Sequence, residues 1–114
     1  MEDCVFCKII AGQIPGDFVY RSDTVVAFRD IHPAAPVHIL IVPTHHIASF
    51  ADLTEADSDL VGQMVAVANR LAKQEGIAEK GYRVVINVGT GGGQVVPHLH
   101  MHLLGGRDMK VRMG

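Results

Sequence analysis

Histidine recurs at every second position of His98–His102 (HLHMH), within the apolar run that continues to Leu104. Side chains at i, i+2 and i+4 of a strand share a face. The segment 98–104 therefore predicts three imidazoles in a row, about 7 Å apart, with Leu99, Met101 and Leu103 turned into the core. A solvated polar face gives no reason for this density of histidine. Two chemistries do. Three imidazoles can form a zinc tripod with an open fourth position. Alternatively, a neutral imidazole can attack phosphorus while a protonated neighbour stabilises the oxygens or protonates the leaving group. With an ordinary pKa of about 6.5, roughly three quarters of such rings are neutral at pH 7.

The loop before the histidines favours phosphorus. Gly89, Gly91, Gly92 and Gly93 follow an apolar run, and glycines let backbone N–H groups approach an anion without a Cβ in the way. A dinucleotide-binding reading fails, because Gln94 stands where a third glycine belongs and too little chain follows for a βαβ unit. No Walker lysine is present either. Cys4 and Cys7 form a lone C-x-x-C pair. The segment Met1–Cys4 lacks the positive region and apolar stretch of a secretory signal, so a cytoplasmic location is expected and a disulfide is not. A thioredoxin-like motif needs a strand before it. Two small buried hydrophobes, or half of a zinc site, remain open.

The elements that must position these residues follow from pattern. Residues 3–11 predict a short helix capped by Asp3 and ended at Gly12. Phe18–Arg21 and Thr24–Arg29 predict a hairpin, and the two prolines of 30–36 a loop. Val37–Val42 is apolar on both faces apart from His38, which predicts a central strand stopped by Pro43. Glu55–Glu75 predicts the long helix, with Thr54 and Asp57 as a capping pair and Gly76 as its stop. Its wide apolar face hints at a second partner, such as another subunit. Arg83–Val88 and His98–Leu104 complete five strands. The expectation is an α+β domain over 1–114: a mostly antiparallel sheet with one long and one short helix on one face.

Composition narrows the class. The chain has 114 residues, 48% hydrophobic and 19% charged, which fits one folded domain. No apolar run reaches the roughly 20 residues of a membrane span. Ten Lys+Arg against twelve Asp+Glu give a net charge of -2, which predicts no binding to a nucleic-acid polymer.

The histidine row resembles the signature of the histidine-triad (HIT) nucleotide-binding proteins. The similarity extends to Phe6–Ile10 (FCKII), Ala27–Pro33 (AFRDIHP), Val37–Pro43 (VHILIVP), Asn87 with the Gly-Gly-Gln run, and Leu104–Arg107 (LGGR). That closing motif is like the Hint branch, the nucleoside phosphoramidate hydrolases. The resemblance implies the HIT fold, a homodimer joined through the long helix and a strand, and a purine mononucleotide substrate.

It implies His100 as the nucleophile that becomes adenylylated. His102 would hydrogen-bond the phosphate and leaving group, with His38 supporting the triad from the neighbouring strand. Asp30 would hold the ribose, while Phe6, Ile9, Ile14, Phe28 and Leu40 surround the purine. Asn87 and the backbone of Gly93, Gln94 and Val95 would hold the phosphate. It further implies a structural zinc on Cys4, Cys7, His46 and His98, as in some bacterial relatives, and no catalytic metal. His32 and His45 are read as surface residues.

Three positions depart from the family. Val95 stands where many relatives carry Ser or Thr near the leaving group, Pro97 where an aromatic residue is common, and the tail 109–114 lacks an aromatic residue. A dinucleoside polyphosphate hydrolase, a nucleotidyl transferase and a non-catalytic nucleotide-binding adaptor are the competing expectations.

Overall fold

A computed structural model describes residues 3–113. Met1, Glu2 and Gly114, the ends of the span read as one domain, lie outside the described residues. Five strands form one sheet in the order β1-β2-β3-β5-β4: β1 Phe18–Arg21, β2 Val25–Arg29, β3 Val37–Pro43, β4 Arg83–Val85 and β5 Met101–Gly105. Every pairing is antiparallel. The fold is α+β, as expected.

The central strand β3 carries branched apolar residues along its length, so both of its faces need cover. Val25, Ala27, Ile39, Ile41, Leu99, Met101 and Leu103 face helix α2 (Ser58–Gln74), whose buried stripe is Met64, Val67, Ala68, Leu71 and Ala72. Val26, Phe28, Leu40 and Val42 face the other way, against Cys4, Phe6 and Ile9 of the short helix α1 (Val5–Ile10) and its cap. The helices therefore sit on opposite faces of the sheet, not on one.

Four boundaries differ from the sequence expectation, each for a local reason. Cys4, not Asp3, caps α1, because its sulfur accepts the Cys7 N–H at 3.3 Å. The predicted long helix opens as a 3-10 turn at Glu55–Asp57, closed by reciprocal Thr54 and Asp57 bonds, before α2 proper begins. Pro43 belongs to β3 and pairs with Val25 instead of stopping the strand. The histidine row is not one strand, since β5 begins at Met101 and β4 ends at Val85. His98 N donates to the Val96 carbonyl and Leu99 N to the Ile47 carbonyl, so these groups are drawn out of the ladder. At the far end of α2, Glu75 takes a bidentate pair from Arg29 (2.6 and 3.0 Å), tying the helix to the end of β2.

Candidate functional site

The three rings of HLHMH are not equivalent. Leu99, Met101 and Leu103 do enter the core, as alternation predicts. The rings opposite divide between two clusters, and their second nitrogens explain the division.

His98 is fully buried, and its Nε2 lies 2.9 Å from the Pro43 carbonyl. A carbonyl only accepts, so Nε2 carries the proton and Nδ1 presents a lone pair. That lone pair meets Cys4 Sγ at 3.2 Å, Cys7 Sγ at 3.5 Å and His46 Nδ1 at 3.1 Å. Cys7 Sγ lies 3.4 Å from His46 Nδ1. The edges of a tetrahedral site with zinc-like bond lengths are about 3.3–3.8 Å, so the four donors lie close to a ligand shell. Burial pushes the Cys7 thiol up and holds His98 below its ordinary value. A bound cation would favour the thiolate. The outward N–H on a carbonyl is the arrangement a metal-binding imidazole needs. Cys4, Cys7, His46 and His98 could hold a metal ion.

The second group of potential ligands, Asp30, His38 and His102, fails the same test. His38 Nδ1 accepts the Ala34 N–H at 3.0 Å, so the proton of neutral His38 sits on Nε2. Nε2 donates to His102 Nδ1 at 2.9 Å. Neutral His102 then carries its own proton on Nε2, a buried atom without a hydrogen-bond partner among the described residues. A metal on His38 Nε2 would move that proton to Nδ1, against a backbone donor. The cluster is a hydrogen-bond relay ending in a bare donor. Burial, reinforced by the neighbouring imidazoles of His100 and His38, pushes His102 down to about 4. His38 is lowered by burial, with Asp30 opposing.

His100 lies between the clusters. Its Nδ1 donates to the His98 carbonyl at 2.7 Å, which leaves the Nε2 lone pair free. Its ring packs edge-on to Phe6 and His102, with centroids 5.1 and 4.9 Å away. A zinc tripod on the three triad rings is ruled out, because both nitrogens of His98 are engaged elsewhere.

His100 and His102 lie at one end of a cleft of about 840 Å³. Phe6, Ile9, Ile14, Phe28 and Leu40 give it an apolar wall, and Asp30, Asn87, Gly93 and Val95 also line it. Phe6, Ile9, Phe28 and Leu40 are buried in the second core as well, so core packing and cleft wall are one set of side chains. Asp30 Oδ1 accepts the His32 N–H in an Asx turn, and Oδ2 lies 3.5 Å from His38 Nε2.

The glycine loop differs from the expected cradle. Gly89 and Gly93 adopt φ +67° and +86°, closing a compact turn. Gly93 N–H bonds the Thr90 carbonyl and Gln94 N–H the Gly89 carbonyl, so neither is aimed at an anion. The Gln94 side chain accepts from Gly89 N–H and donates to the Ala48 and Val96 carbonyls. Gln94 braces the loop and does not line the cleft.

Sequence reasoning missed Val5, Pro15, Gly16, Asp17, Arg29, Ile31 and Val96, which also line the cleft, as does the exposed His32. Only glycine fits at position 16, where a Cβ would meet Ile9 Cγ2 at 2.7 Å, a closeness visible in the structure and not in the sequence. His45 is exposed, as expected.

Residues 11–109 match the HIT domain family. The chain is 51% identical over 108 residues to the purine nucleoside phosphoramidase of Escherichia coli (strain K12), covering 95% of this chain and 91% of that protein. It is 43% identical over 105 residues to protein HitA of Neisseria gonorrhoeae, covering 92% and 97%. The crystal structure of a HIT family hydrolase from Legionella pneumophila superposes with a TM-score of 0.96 at 49% identity, covering 98% of this chain and 100% of that one.

Proposed function

The chain belongs to the HIT domain family, and from that membership we propose that it is a purine nucleoside phosphoramidase acting through His100. One observation carries the proposal: His100 Nδ1–H donates to the His98 carbonyl, leaving a bare Nε2 beside His102 Nε2–H, which has no partner among the described residues, in an apolar cleft. A nucleophile and a donor for phosphate oxygen side by side are what nucleotidyl transfer needs.

The purine lies among Phe6, Ile9, Ile14, Phe28 and Leu40, and Asp30 accepts from the ribose hydroxyls through Oδ2. Asn87 and the backbone at Val95 face the phosphate. His100 Nε2 attacks the α-phosphorus, the P–N bond breaks, and the amine leaves. His102 is neutral at pH 7, because its pKa is about 4. It therefore hydrogen-bonds a phosphate oxygen and does not serve as a stored proton. Val95 has no proton to give, so water protonates the amine. The hydroxide left by that water attacks the nucleotidyl-His100 phosphorus, releasing the mononucleotide and restoring the neutral imidazole.

Cys4, Cys7, His46 and His98 would hold a structural zinc, which supplies a cross-link between α1 and the triad and no open catalytic position. The free thiol pair suits the cytoplasm, where thiols stay reduced. Among the described residues no helix is long and apolar enough to cross a membrane. The exposed apolar residues Val65 on α2 and Val84 on the edge strand β4 support a homodimer built on these elements.

Incubation with adenosine 5′-phosphoramidate, followed by phosphorus NMR, tests the activity. The expected result is conversion to AMP, at least tenfold faster than cleavage of a dinucleoside polyphosphate. The reverse preference would favour the polyphosphate hydrolase, and no AMP would favour the adaptor.

A further inference from the structure

We propose that the Cys4–Cys7–His46–His98 set is a latch through which metal binding and nucleotide binding strengthen each other; this rests on the nucleotide-hydrolase reading above. The set joins two walls of one cleft. Cys4 and Cys7 belong to α1 and its cap, and α1 carries Phe6 and Ile9 into the cleft. His98 belongs to the segment that holds the nucleophile, and its backbone carbonyl fixes the His100 ring. His46 adds a third segment, stapled to the second where Leu99 N–H meets the Ile47 carbonyl at 2.7 Å.

Helix α1 has only six residues, far below the length at which a helix is stable by itself. Its position depends on its attachments. Phe6 packs edge-on to Phe28, His98 and His100, with centroids 5.5, 5.8 and 5.1 Å away. Ile9 packs against the sheet as well, and the four-ligand set is a further attachment that draws the same helix toward the same histidine segment. A cation held there orders the wall that a purine must touch and the carbonyl that orients His100. A nucleotide pressed against Phe6, Ile9 and His100 holds the ligands together in turn. Linkage requires the two effects to be equal. The four ligands are positioning residues for the reaction as well as a metal site.

The test uses zinc and AMP on the whole chain. AMP affinity is measured calorimetrically on zinc-loaded and chelator-stripped protein, and zinc affinity by chelator competition with and without saturating AMP. The expected result is one factor in both directions, on the order of tenfold. The competition arm starts from loaded, folded protein, so it remains decisive if the stripped chain unfolds. Phe6→Ala cuts the contact of α1 with the His98 and His100 rings, and is expected to reduce the factor, with Ile9 and the His98 carbonyl carrying what remains. A link through global stability alone would leave the factor unchanged in that variant and would overturn the latch. Loaded protein that binds AMP with no change in zinc affinity overturns it too, leaving the hydrolase standing, as does a chain that takes up no zinc. Loaded protein that fails to bind AMP overturns the hydrolase reading itself.

Discussion

Two clusters, each holding a pair of histidines and separated by a single ring, reach opposite chemistries. At His98 the outer nitrogen donates a hydrogen bond to the Pro43 carbonyl, so the inner lone pair faces two sulfurs and a third ligand atom. At His38 the outer nitrogen receives the Ala34 N–H, so the inner nitrogen carries a proton and passes a hydrogen bond to His102. A backbone acceptor makes a metal ligand, and a backbone donor makes a relay. His100 sits between them and takes its orientation from the metal-side cluster, through the His98 carbonyl.

The largest effect expected on this division is at the ring between the clusters. His100→Asn should lower kcat by about 10⁴-fold, since a nucleophile is lost outright. AMP affinity, measured by calorimetry, should stay within a few-fold of wild type, because the apolar side chains that hold the purine are unchanged.

Next comes a pair of substitutions that separates the clusters. Cys7→Ser should abolish stoichiometric zinc, read by elemental analysis of protein purified without chelator. His38→Asn should keep one equivalent of zinc and lose rate by about 10–100-fold, the usual cost of removing a partner that orients an active imidazole. Zinc lost from His38→Asn but retained in Cys7→Ser would reverse the assignment.

The pH dependence is smaller and has a definite sign. His102 titrates at about 4 in the folded chain, below the ordinary histidine value, because burial and its imidazole neighbours disfavour its cation. The unfolded chain binds that proton more readily, so stability is full above pH ~6.5 and falls as pH drops toward 4. Chemical denaturation from pH 7 to 4.5 should show the loss, and His102→Asn should show less of it. Nitrogen NMR should find His102 neutral at pH 6, with its proton on Nε2. The smallest effect is at the cleft mouth. Val95 is 89% exposed, and Val95→Ser should raise kcat about two- to fivefold, the worth of one added hydrogen bond to the departing amine.

Much of the fold could be read from the sequence, because burial leaves a periodic trace. The two-sided strand β3, the hairpin and the apolar stripe of α2 all follow from residue spacing. Helices on both faces followed from the same fact, since a strand apolar on both sides needs two covers, yet one was expected. The triad was legible as a pattern and illegible as a geometry. Alternation placed Leu99, Met101 and Leu103 correctly, while His98 and His100 lie outside the ladder because two N–H groups bond to Val96 and Ile47. Nothing in the sequence says which backbone group meets the outer nitrogen of His38 or His98. The cysteine pair was legible as half of a metal site, His46 and His98 were implied by resemblance alone, and the structure brings all four together. Gln94 shows the opposite failure: its backbone was expected to hold the phosphate, yet its N–H bonds the Gly89 carbonyl and its side chain braces the loop.

The most direct measurement of the central claim is a rapid-quench reaction with adenosine 5′-phosphoramidate, digested and mapped by mass spectrometry. An early, transient adenylyl group on the peptide bearing His100, absent in His100→Asn, is the predicted result. Release of AMP by His100→Asn at the wild-type rate, with no adduct at any time, would contradict it.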